Sequence, residues 1–225
     1  MKVFVINAYA DRREKYDERY ELFPAVWWED VTDEQLDQYN FYWNAKLEHR
    51  KKVTACALSH KKLLQKVIIE DLEDVIIMED DALIDDFEKL DVLKDVDDFC
   101  YVGGQIAAPL VKDYVSFQKD KKQGIIDLLK KDKSLFKTIE PENFRITHAC
   151  GYYIPNKKVA EKILSSIDEL YPNRKKAIDV MFVKLQKKDI IKSFIFPALV
   201  TLYLPDAKKG FTYSKYKLTD DQWLY

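Results

Sequence analysis

At 225 residues, 47 per cent apolar and 34 per cent charged, the chain suits one large domain with a real core and a charged surface. Lys and Arg (37) nearly balance Asp and Glu (39), which excludes the basic excess of a nucleic-acid-binding surface. No run approaches the roughly 20 apolar residues that cross a bilayer, and 3 cysteines without metal-site spacing read as reduced thiols of a cytoplasmic protein.

KVFVIN (2–7) is short, β-rich and followed at once by charge, so it reads as a first strand and not as a signal peptide. The tail of AYADRREKYDERY is a possible helix, PAVWWED (24–30) reads as a second strand, and 33–52 gives no clear element. Apolar residues at 53, 57, 64, 67, 68 and 72 make one stripe on a helix. VIIM (75–78) is apolar on both faces, as in a central strand of a covered sheet. DFCYVGG (98–104) reads as another strand, stopping at Gly103-Gly104, and the lysine-rich stretch 105–142 as an irregular insertion with one or two helices.

FRITHACGYYIP (144–155) is β-like as far as Pro155. Asn156 can cap the helix KKVAEKILSSIDEL, which carries Val159, Ile163, Ile167 and Leu170 on one face and ends before Pro172. Ile178, Met181, Phe182 and Leu185 mark a short helix, and DIIKSFIFPALVT a late strand broken at Pro197. The tail from Asp206 is polar and aromatic. Strands separated by helices across the first hundred residues predict an α/β fold with a mainly parallel sheet. Ligands in such folds bind beyond the carboxyl ends of the strands, where Asn7, Glu79–Asp81 and Gly103-Gly104 fall.

VIIMEDDA (75–82) sets three carboxylates side by side at one of those ends. Two charges about 4 Å apart repel by roughly 1 kcal/mol in water and about 4 kcal/mol at the effective dielectric of a protein surface. Such a cluster needs open solvent or a cation. In an extended segment Glu79 and Asp81 point one way and Asp80 the other. That is an Asp-x-Asp arrangement with Glu first, suited to Mg²⁺ or Mn²⁺ shared with water and a diphosphate. A solvated acidic turn is the plainer alternative, since DLED, LIDDFEKLD and DVDDF are also acidic.

VTACALSHKKLLQ (53–65) followed by DVIIMEDDALI (74–84) resembles the signature of glycosyltransferase family 25, which includes bacterial lipopolysaccharide galactosyltransferases, collagen galactosyltransferases and relatives in large DNA viruses. That signature is a Gly-Cys-x-x-Ser-His helix start, then an apolar strand ending Glu-Asp-Asp. Cys56, Ser59, His60, Glu79, Asp80 and Asp81 match it, with Ala55 where glycine is usual. KVFVINAYADRR is similar to the family's opening strand through Asn7, Arg12 and Arg13, with Ala8 in place of leucine. THACGYYIPNKKVAEKIL (147–164) is similar to its Thr-His-x-x-Gly-Tyr segment, KAIDVMF (176–182) to its Ile-Asp block, and FPALVT to its Pro-x-Leu-Val, without the glutamine that usually follows. Residues 105–142 match no part of the pattern.

The resemblance implies a GT-A-like single domain over 1–225, with a nucleotide-sugar side in about 1–104 and an acceptor side in 105–225, of which 105–142 is a variable insertion. It implies a UDP-sugar donor, Mn²⁺ or Mg²⁺, and transfer of a hexose with inversion to a glycan or glycoprotein, as in bacterial surface-polysaccharide synthesis or viral capsid glycosylation. Asn7 and Arg12 or Arg13 would lie by the nucleotide, with Glu79 and Asp81 flanking the ribose and the ion and Asp81 the first choice as ligand. Asp80 would hold hydroxyls of the donor sugar, and Ser59, Gly151 and Tyr152 belong to the same donor-binding set. Asp179 is the candidate base, with helix capping as its alternative. His60 and His148 are candidate sugar or phosphate contacts or structural residues, His148 also a candidate metal ligand. Cys56 and Cys150 read as packing residues, and Tyr152 and Trp43 as ring-stacking or core residues. Two rivals remain, a metal-dependent phosphohydrolase and a catalytically lapsed sugar-nucleotide-binding module. The first would want a further carboxylate or nucleophile where the first strand ends in Asn7.

Overall fold

A computed structural model describes residues 1–39, 45–107 and 116–202, apart from the side chains of 105, 107, 116–123, 148, 149 and 202. Trp43 and the tail from Asp206 lie outside the described residues. The chain runs through β1 (Lys2–Asn7), β2 (Tyr20–Pro24), α1 (Asp33–Asp37), α2 (Leu47–Ile69), β3 (Val75–Glu79), β4 (Ala82–Ile84) and β5 (Cys100–Ala107). It continues through α3 (Ser116–Lys131), β6 (Phe136–Thr138), β7 (Arg145–Ile154), α4 (Lys157–Leu170), α5 (Ile178–Gln186), β8 (Ser193–Ile195) and β9 (Val200–Leu202). Short 3₁₀ turns cover Ala10–Lys15, Trp28–Asp30 and Phe87–Asp95.

Among the described residues, seven strands form one sheet in the order β2-β1-β3-β7-β5-β8-β6. β2, β1, β3, β5 and β8 share one direction, while β7 and β6 run against it. The expected α/β class holds, and the sheet is mixed because β7 enters between β3 and β5 in the reverse sense. Strand alternation divides the core. Phe4, Ile6, Val75 and Ile77 face α2, α4 and α5, whereas Val3, Val5, Ile76 and Met78 face the 3₁₀ turn Phe87–Asp95 and Val200. Among the described residues, no helix is long and apolar enough to cross a membrane.

Several local signals hold as read. Asn156 caps α4, its side chain accepting from the Val159 N–H at 3.2 Å, with Val159, Ile163 and Ile167 buried below. α5 buries Ile178, Met181, Phe182 and Leu185. Others differ. The second strand is YELFP, not PAVWWED; only Pro24 is shared, and the aromatic pair leads into a 3₁₀ turn instead. The stretch after β1 is a 3₁₀ turn at its head, Ala10–Lys15, rather than a helix at its tail. α2 starts at Leu47, six residues before the apolar stripe begins.

Gly103-Gly104 does not end β5. The strand absorbs both glycines as register shifts against β7, Gly104 with a φ of 155°. The physical reason is close approach. Gly103 faces Gly151 across the ladder, and the chain, after the cis Phe196–Pro197 bond, lays Val200 over the pair. A Cβ on Gly151 would stand 2.9 Å from the Val200 side chain, and one on Gly103 would fall on the Val200 carbonyl oxygen and 2.9 Å from Cys150 Sγ. β9 therefore rests on glycine and pairs with β4 through Ala82↔Leu202, which fixes the chain directly after the acidic turn. Gly103→Ala is expected to cost about 1–3 kcal/mol, as overpacking does, read as a lower denaturant midpoint at unchanged slope.

Candidate active site

The carboxyl ends of β1 and β3 lie side by side, with Ile6 opposite Glu79. β3 stops at Glu79, and Asp80 and Asp81 form a turn into β4. Strand alternation therefore does not govern the triplet, as extended geometry had suggested. Each carboxylate meets a different environment.

Asp80 is buried and occupied by the protein itself. Its Oδ2 accepts from the backbone N–H groups of Ala8 at 2.7 Å and Tyr9 at 3.0 Å, and Oδ1 accepts from Arg12 at 2.6 Å. Lys15 donates to its carbonyl oxygen. The Arg12 guanidinium, itself buried, lies 4.4 Å over the Tyr9 ring. Its oxygens clamp the loop after β1 onto the end of β3. Arg12 is turned inward by the same pair. Arg13 stays exposed, with Nε donating to Asn7 Oδ1 at 2.7 Å.

Asp81 is the opposite case. Its Oδ1 is buried with no hydrogen-bond partner among the described residues. Burial, then the charges of Glu79 and Asp80, push its carboxyl up to about 7. An orphaned buried carboxylate oxygen among like charges is costly unless a cation meets it. Asp179 sits in the first turn of α5, whose N-cap, Ala177, makes no side-chain cap. Burial, then the negative charges of Glu79, Asp81 and Asp179, push the buried Cys150 thiol well up, and Cys56 feels the same three carboxylates. The charges of Glu79, Asp81 and Asp179 thus all bear on these two thiols, while the ligand atoms that lie within 4.8 Å of one another among the described residues are those of Cys56, His60 and Glu79. A carboxylate oxygen such as Asp81 Oδ1 suits a hard divalent ion.

A raised carboxyl carries a sign. The unfolded chain releases the Asp81 proton near 3.8, whereas the fold retains it up to about 7. The metal-free protein should lose stability as pH climbs from about 4 to 7 and level off above. Asp81→Asn should flatten that slope in denaturant midpoints measured across the pH range.

Behind Glu79 sits a second group. His60, buried on α2, has Nδ1 2.9 Å from Tyr152 Oη and Nε2 3.4 Å from Glu79 Oε1, its ring stacked on Tyr152. The Cys56 thiol donates to the same Glu79 oxygen at 3.7 Å. Cys56, His60 and Glu79 each bring a ligand atom within 4.8 Å of the others, close enough to hold a metal ion. Tyr152 is core, fully buried. Ser59 is buried too, accepting from the Val26 N–H at 2.8 Å and donating to the Ala55 carbonyl at 2.7 Å, so it pins the chain after β2 to α2. Gly151 serves the packing of Val200. His148 lies in β7, its side chain outside those described.

Sequence reasoning passed over Tyr9 and Trp27. Both are exposed beside this corner, edge to face with centroids 6.0 Å apart. It also passed over Cys56 as a partner of His60, although the two are four residues apart on one helix face.

No curated protein sequence matches the chain. The sequence model described as "Glycosyltransferase family 25 (LPS biosynthesis protein)" matches residues 1–182, a span that holds the clamp on Asp80, the orphaned carboxylate of Asp81 and Asp179 on α5. The chain belongs to glycosyltransferase family 25.

Proposed function

We propose that this glycosyltransferase moves a hexose from a UDP-sugar to a glycan or glycoprotein hydroxyl, with inversion at the anomeric carbon and with Mn²⁺ or Mg²⁺ as cofactor. The strongest support is the buried Oδ1 of Asp81, without a hydrogen-bond partner among the described residues and raised in pKa by burial and by the charges of Glu79 and Asp80. Asp81 and Glu79 would hold the ion, which when bound would supply charge neutralisation for the departing diphosphate. Arg13, steadied by Asn7, faces the phosphates. Tyr9 and Trp27 offer an exposed aromatic surface for the base. Asp80 and Arg12 act on the donor indirectly, by holding the loop that carries these groups. Donor contacts come from residues 1–104, while 105–225, with its variable stretch 105–142, faces the acceptor.

Asp179 is the base. Its carboxylate takes the proton of the acceptor hydroxyl as that oxygen bonds to C1 and the C1–phosphate bond breaks, releasing UDP on the opposite face. Asp179→Asn should lower kcat by about 100-fold or more while leaving UDP affinity within a few-fold of the unsubstituted protein. UDP release from a panel of UDP-sugars with Mn²⁺, with and without Asp179→Asn, tests the reading. Equal turnover in both proteins removes Asp179 from the chemistry, and phosphate release from simple esters would indicate a hydrolase.

A further inference from the structure

Cys56 and His60 stand one helical turn apart on α2, facing the last residue of β3. We propose that Cys56, His60 and Glu79 form a second metal site, selective for thiophilic divalent ions of the zinc class, whose occupancy withdraws Glu79 from the Asp81 site.

The spacing is that of a tetrahedral ion. Bonds of about 2.3 Å to sulfur and about 2.0 Å to nitrogen or oxygen place neighbouring ligand atoms roughly 3.3 to 3.6 Å apart. Cys56 Sγ and Glu79 Oε1 are 3.7 Å apart, and His60 Nε2 and Glu79 Oε1 are 3.4 Å apart. The third edge lies within 4.8 Å, so a small rotation of one side chain completes the set. The fit extends beyond the ligands. Tyr152 Oη stands 2.9 Å from Nδ1, where it can accept from Nδ1–H and leave Nε2 for the ion. The stacked, fully buried Tyr152 ring fixes the imidazole plane.

Charge balances as well. On binding, Cys56 gives its thiol proton to solvent and no electron moves. A divalent ion with one thiolate, one carboxylate and a neutral imidazole is a neutral complex, the form most compatible with burial. Glu79 is 37 per cent exposed at its side chain, which opens a route and a fourth position to solvent. Sulfur and imidazole nitrogen separate this site from the all-oxygen set around Asp81, because Mn²⁺ and Mg²⁺ prefer oxygen. Glu79 belongs to both sets. The antagonism between the two sites rests on the proposed role of the Asp81 site, whereas the Cys56 site itself does not.

The test uses the full chain, stripped with chelator, and titrated with Co²⁺ while thiolate-to-cobalt charge-transfer and tetrahedral d–d bands are recorded. One equivalent should produce both bands, and Zn²⁺ should abolish them. Cys56→Ser should lose the charge-transfer band, with circular dichroism and the denaturant midpoint confirming its fold. Absence of the band in the unsubstituted protein, or its persistence in folded Cys56→Ser, overturns the site. Mn²⁺ bound in the presence of UDP is then followed by electron paramagnetic resonance. Zn²⁺ should release it from the unsubstituted protein at concentrations at least tenfold lower than from Cys56→Ser, and equal sensitivity overturns the antagonism. Failure of Mn²⁺ to bind even with UDP would sink the proposed metal dependence of the Asp81 site and the antagonism with it, while the cobalt spectrum decides the Cys56 site independently.

Discussion

Asp80→Ala should lower the unfolding free energy by about 3–5 kcal/mol, the usual cost of breaking a buried ion pair by removing one member. The buried Arg12 guanidinium would lose its pairing with the Asp80 carboxylate. The N–H groups of Ala8 and Tyr9 would lose their acceptor as well. For a domain of this size each kcal/mol moves Tm by about 2–4 °C, so a drop of roughly 10 °C is expected. Arg12→Ala should be costly for the same reason. The double variant should lose clearly less than the sum of the two, because each single change already breaks the pair. A single variant with an unchanged midpoint, or strictly additive losses, would show that the loop after β1 is not held by this pair.

One residue further on, the opposite is expected. Asp81→Asn should leave the fold intact and raise its stability near pH 7, since it removes a charge that burial and its neighbours disfavour. Turnover should nonetheless fall by about 1,000-fold, the equivalent of several kcal/mol of lost charge stabilisation at the leaving group. The loss should appear in kcat/KM and in metal-dependent donor affinity together, because the substitution removes the oxygen that has no protein partner. Parallel losses of stability and activity in Asp81→Asn would mean that the residue is structural. The contrast between neighbours is informative because both substitutions remove a single charge from the same turn. A merely acidic, solvated turn would respond to neither.

Much of the frame was readable. β1, β3, β7 and α4 announce themselves through apolar runs, a capping Asn and flanking proline, all signals local to the element. β2 was not readable, because an edge strand with Glu21 and Leu22 exposed lacks the one-sided apolar pattern, and Trp27-Trp28 mimic a strand by composition alone. Glycine at Gly103 suggested a strand end because glycine usually punctuates. Here it makes room for Val200, which is remote in sequence and leaves no mark near Gly103.

The site shows the same division. Glu79, Asp80 and Asp81 were visible as a cluster, but their separate roles depend on the turn at Asp80 and on Arg12, 68 residues earlier. Ser59 and Tyr152 stood out as motif residues, and each is committed to internal hydrogen bonds that set the corner rather than to an exposed surface. The Cys56–His60 spacing was legible, but their common partner Glu79 comes from another element. Long-range pairing is what a single sequence conceals.

The central claim is that Asp81 and Glu79 bind a divalent ion together with the donor diphosphate. Calorimetric titration of UDP into the chelator-treated protein, repeated with Mn²⁺, tests it most directly. The account predicts weak or undetectable binding without the ion, affinity at least tenfold tighter with it, and no such gain in Asp81→Asn. Equal UDP affinity with and without Mn²⁺, or an undiminished gain in Asp81→Asn, would contradict it.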